Sequence, residues 1–117
     1  MITHEMIVHL FHLLIVGSLF LYVGIVQTKI PGFFYPFLFY LGIVIIVYHG
    51  YKAFNKIIAG KNAWVSFIHI LLVGPLLVYI GYNKTKTPRY CYELLLMLGF
   101  AAIGYHGYYM FLEIFKK

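Results

Sequence analysis

Four histidines, His12, His49, His69 and His106, stand in a chain of 117 residues that is 63% hydrophobic and only 10% charged. Two of them occupy the same tetrapeptide, YHGY, at 48–51 and again at 105–108. Imidazole titrates near neutral pH and has two exchangeable nitrogens, so grouped rings can relay protons. Four His nitrogens also suit Zn or Cu, and any two can ligate a haem iron. The plainest alternative is fastening, in which each ring donates to a Tyr hydroxyl or a backbone carbonyl and holds helices together. Tyr48 and Tyr105, next to two of the rings, suit any of these roles.

Such rings need elements to hold them. A 117-residue globule cannot hide this much apolar surface from water, because small domains bury too small a fraction of their area. Four uncharged stretches, 6–28, 30–51, 62–83 and 94–112, each approach the roughly 20 residues a helix needs to cross ~30 Å of hydrocarbon. The first has no Lys or Arg before its apolar run and no A-x-A-like site, which reads as a structural helix rather than a signal peptide. Strands are excluded by the unpaired edges an open sheet would present to lipid, and four are too few to close a barrel.

The chain matches itself without a gap at an offset of 57. HLLIVGSLFLYVG (12–24) lies over HILLVGPLLVYIG (69–81), TKIP (28–31) over TKTP (85–88), and YHGYKAF (48–54) over YHGYYMF (105–111). Between His12 and Ile57 there are 21 identities in 46 positions. Gly, His, Pro and Tyr do not align by composition alone, so this reads as a repeat. The expected architecture is all-α: an integral membrane four-helix bundle in a single domain, 1–117. It is a tandem parallel repeat of two helical hairpins, about 8–60 and about 65–117. Pro31 and Pro88 follow the turns, where a missing N–H costs nothing. Pro75, replacing Ser18, is expected to kink the third helix.

Positions equidistant from a hairpin turn share a depth. That puts His12 level with His49 and His69 level with His106, all on one side and roughly 8 Å inside the apolar boundary. Membrane b-type cytochromes usually carry His pairs at two depths, whereas here there is one layer. His9 and His4 fall further out, where water can reach them. On the second helix Tyr35, Leu38, Gly42 and His49 form a heptad stripe, repeated on the fourth by Tyr92, Leu95, Gly99 and His106, as expected of a bundle seam. On the first and third, His12, Val16, Leu19 and His69, Val73, Leu76 form one stripe. Gly17 and Gly24, with Gly74 and Gly81, form another about 140° away on an ideal helix. Glycines admit close neighbours, and this second stripe suits another helix or another subunit, so a homo-oligomer is expected.

The net charge of +6 comes from helix ends and suits anionic headgroups rather than nucleic acid. Lys52, Lys56, Lys61, Lys116 and Lys117 fall on the side of the termini, and Lys29, Lys84, Lys86 and Arg89 on the other. Five against four leans toward cytoplasmic termini. Trp64 and the edge Tyr and Phe residues suit interfacial anchoring. Glu5, Glu93 and Glu113 sit at edges, and the lone Cys91 forms no intramolecular disulfide. No nucleophile–base pair, P-loop, CxxC or selectivity-filter motif occurs, so no catalytic residues and no enzyme are expected. No cofactor is required; metal at His12, His49, His69 and His106, or haem, is an alternative.

HLLIVGSLFLYVG, TKIPGFFYPFLFYLG and YHGYKAF, followed by VGPLLVYIGYNKTKTPRYCYELLLMLGFAAIGYHGYYMF, resemble short four-helix membrane proteins of large DNA viruses of algae and other protists. The likeness covers nearly the whole chain. It implies a host-membrane or virion-membrane location and a viroporin-like or structural role, and it carries no site residues.

Overall fold

The computed structural model describes residues 4–115, apart from the side chain of Glu5. Lys116 and Lys117, counted above for orientation, lie outside them. The described chain is helical, with no strand among the described residues. Helix α1 (residues 4–26) consists of α-helical His4–Phe11, a π-helical turn His12–Val16 and α-helical Gly17–Val26. Helix α2 is Phe34–Ile58. Helix α3 (64–83) repeats the composition of α1: Trp64–Ile68, a π turn His69–Val73, then Gly74–Asn83. Helix α4 is Arg89–Phe115. Four spans, Met6–Lys29, Phe34–Ile58, Trp64–Lys86 and Arg89–Phe115, are long and apolar enough to cross a membrane. Large side chains such as Leu71 and Val47 are about 70% exposed, an arrangement that water penalises and lipid does not.

The chain divides into two compact units, 1–27 with 92–117, and 28–91. In the first, α1 runs antiparallel to α4. A methyl group added at Gly17 would meet Ile103, one at Gly24 would meet Leu96, and one at Gly99 would meet Phe20 and Leu21. In the second, α2 and α3 run antiparallel. There a methyl at Gly74 would meet Ile46, one at Gly81 Phe39 and Tyr35, and one at Gly42 the Gly74 carbonyl and Val78. The glycine stripes of α1 and α3 are therefore filled by a helix of the same chain, which leaves them unavailable to another subunit.

Local signals close these elements. Gly60, at φ +74°, ends α2 in the left-handed conformation that glycine adopts without strain. Its N–H bonds the Ile57 carbonyl at 3.1 Å. The Asn62 Oδ1 accepts from the Trp64 N–H at 3.0 Å and so starts α3. Pro31 and Pro88 each lend a carbonyl to the N–H three residues on, Phe34 at 3.0 Å and Cys91 at 3.1 Å. Pro75 stands just past a π turn, but α1 makes the same turn before Ser18. The proline is thus not what breaks the α-helical pattern.

Candidate functional site

The histidines meet in pairs, one pair per unit. In the first, His12 of α1 stacks on His106 of α4, with centroids 4.4 Å apart and planes 23° from parallel. In the second, His49 of α2 stacks on His69 of α3 at 4.0 Å and 15°. Each pair joins one helix from each half of the sequence. His49 and His106 are each only 9% exposed; His12 and His69 are half-buried.

The π turns explain how these rings reach their partners. On an ideal α-helix His12 and Gly17 would point roughly 140° apart. In each turn the backbone N–H of the glycine bonds the carbonyl five residues back, Gly17 to His12 and Gly74 to His69. A π turn brings positions i and i+5 nearly into line, as an α-helix does i and i+4. Histidine and glycine therefore face the same neighbour: His12 and Gly17 both meet α4, and His69 and Gly74 both meet α2. A uniform 3.6 residues per turn separates the two stripes. The recurrent H-x4-G spacing was the available signal.

The outer ring of each stacked pair has a fixed tautomer. The Nδ1–H of His12 donates to the Val8 carbonyl at 2.8 Å, and that of His69 to the Val65 carbonyl at 2.8 Å. A carbonyl only accepts, so the proton is on Nδ1, and each neutral ring keeps its Nε2 as acceptor or ligand. A metal or haem iron bound at these rings would be held through that nitrogen. Among the described residues no group of three or more His, Cys, Asp or Glu side chains is arranged to hold a metal ion.

One contact overturns an expectation. His9 was placed among the outer, hydrated residues, yet its Nδ1 lies 2.8 Å from the Nδ1 of His106. Its ring is tilted against His106 at 5.0 Å and stacked on Tyr109 at 6.1 Å. It is half-buried, whereas His4 is exposed. The two YHGY tyrosines differ in their surroundings. Tyr48 is exposed and carries the Lys52 ammonium 5.5 Å from its ring centre; Tyr105 is half-buried against Tyr109 at 4.8 Å. Both stand edge-on to the neighbouring histidine, at 5.2 Å and 5.1 Å. Comparison with models of protein families, with curated proteins and with solved structures finds no match to the chain.

Proposed function

We propose that the chain is a multi-pass membrane protein that conducts protons, a small viroporin-like pore whose titratable groups are the pairs His12/His106 and His49/His69. The observation that carries this reading is the burial of His49 and His106, each 9% exposed and face to face with a second imidazole. Ionisable groups in such apolar helices are costly, and function is the usual reason they are kept. The ring normally titrates near neutral pH, and rings held this close can pass a proton once one of them turns an N–H toward the other's lone pair.

The same reading takes the chain as a duplicated helical hairpin inserted in a viral or host membrane. Its support is recurrence at an offset of 57: the π turns, the His-to-carbonyl bonds, the glycine contacts and the positive-φ turns at Gln27 and Lys84 all come twice. Four crossings return both termini to one side. Assembly into a homo-oligomer would use faces other than the glycine stripes, which are occupied.

A second reading is a non-conducting structural protein in which the rings only fasten helices. It is favoured by the carbonyl bonds of His12 and His69, which spend one nitrogen of each on the ring's own helix. Proton flux into liposomes separates the two. Conduction predicts flux that falls when His49 and His106 are both changed to Phe. Fastening predicts that the double change lowers thermal stability while wild type shows no flux to lose.

A further inference from the structure

We propose that His9 is the port through which protons reach the buried imidazoles of the first unit, an inference that rests on the proton-conducting reading above. Two ring nitrogens 2.8 Å apart are within hydrogen-bond distance only usefully if one carries the proton and the other a lone pair. The contact is thus a one-proton bridge. Its outer end is a half-buried ring and its inner end, His106, is 9% exposed. His106 in turn stacks on His12. Tyr105 and Tyr109 on α4 also stand against the bridge. Glu113 lies two turns further along α4, half-buried, and the exposed His4 lies beyond His9 on α1.

The transfer balances with the residues present. A doubly protonated His9 faces a neutral His106 whose proton is on Nε2. The Nδ1–H bond of His9 breaks, an Nδ1–H bond forms on His106, and the positive charge moves one ring inward. His9 is left neutral with its proton on Nε2. Once His106 has passed its Nε2 proton on, half-turns of both rings set the His9 N–H against a lone pair of His106 again and offer the His9 Nδ1 to the next proton from solvent. The second unit is not built this way. The position 57 residues beyond His9 is Ser66, which is 2% exposed, and a serine hydroxyl does not titrate near neutral pH.

The test combines 15N-histidine NMR of the full chain in phosphatidylcholine bilayers with proton influx into vesicles holding a pH dye. Wild type should give a coupling between His9 and His106 across an N–H···N bond, lost in His9→Phe. His9→Gln can keep a hydrogen bond to His106 but cannot carry a proton. It should retain the thermal midpoint and lose roughly 100-fold in flux, the low end for removing a positioned proton-transfer group. His4→Gln should conduct like wild type. A His9→Gln protein that conducts like wild type overturns the port and leaves the conduction reading standing, as does absence of the coupling in a conducting wild type. A wild type without flux overturns both, and a surviving coupling would then mark a fastening bond.

Discussion

The two helix pairs share a plan of stacked histidines, π turns and glycine contacts. In the unit of residues 28–91, α2 and α3 are joined by a five-residue connection, 59–63, and His49 stacks on His69. In the other unit the paired helices come from opposite ends of the sequence, and a third imidazole, His9, is bonded onto the pair. What stays constant is the framework: a π turn that swings histidine and glycine onto one face, and glycines that let the helices touch. What varies includes the position of His9, which is bonded to His106 in one unit and is taken 57 residues later by the buried Ser66. The framework therefore positions the rings, and a single side chain, His9, distinguishes the surroundings of one pair.

The hardest test of that shared framework is a pair of one-residue deletions in α3. Leu71 lies inside the π turn and is 73% exposed. Removing it should convert the turn to ordinary α-helix while keeping His69 and Gly74 on one face, with stability within about 1 kcal/mol of wild type, because the surplus residue does not pack. Removing Tyr79, in the regular part, should rotate Ile80 and Gly81 by about 100° relative to the residues before them. That takes a core face off α2 and should abolish the folded unit. Circular dichroism and unfolding in detergent would report both, and two deletions of equal cost would refute the role given to the π turn.

Next in size are the glycine contacts. A methyl at Gly81 would come within 2.6 Å of the Phe39 nitrogen and the Tyr35 carbonyl oxygen, and backbone cannot step aside. Gly81→Ala should cost about 3 kcal/mol, the upper range for overpacking. At Gly17 the closest obstacle is the Ile103 side chain at 2.6 Å, which can change rotamer, so about 1 kcal/mol is expected there. Gly50 and Gly104 have nothing within 4 Å, and alanine at either should be neutral or stabilising by up to about 1 kcal/mol. Sedimentation of Gly17→Leu should show a damaged fold rather than a folded protein that has lost subunits.

The outer histidines sharpen the difference between the units. His9→Ala removes a ring bonded to His106 and should cost about 1–2 kcal/mol, since a buried nitrogen loses its partner. His4→Ala should change stability by less than about 0.5 kcal/mol, as expected of an exposed site. Equal effects in thermal unfolding would return His9 to the hydrated periphery.

Much of this plan was legible in the sequence because it repeats. The four helices follow from apolar length, and the stripe Tyr35, Leu38, Gly42, His49 is buried along α2, as Tyr92, Leu95, Gly99, His106 is along α4. These helices are regular, so a fixed angular period reads them correctly. The stripes on α1 and α3 escape a fixed period because a π turn is a local change of period, and no residue type signals it as glycine signals a left-handed turn. Depth along a single helix puts His9 too far out. Its neighbour His106 lies 97 positions away, and one helix's periodicity carries no information about that approach.

The smallest effect expected concerns the turns that close α1 and α3. Gln27 and Lys84 sit at φ 59° and 53° with ψ −126° and −127°, a region that side chains with a Cβ rarely adopt. Each N–H still closes its helix, Gln27 onto the Val23 carbonyl and Lys84 onto that of Ile80, so the strain is held in place by the last helical turn. In the later turn the Thr87 hydroxyl adds a bond to the Lys84 carbonyl at 2.7 Å; its counterpart 57 residues earlier is Ile30, which cannot. Glycine would relieve the strain but gains freedom in the unfolded chain, and these terms oppose each other. The net expectation is a gain of about 0.5 kcal/mol or more at both positions, since strain of this kind costs on the order of 1–3 kcal/mol. The gain should be larger for Gln27→Gly, because the turn at Lys84 already has the threonine bond to hold it. Thermal midpoints of the two single variants and the double in one detergent would measure this. A loss of stability in both would mean that the side chains of Gln27 and Lys84 contribute more than their backbone strain costs.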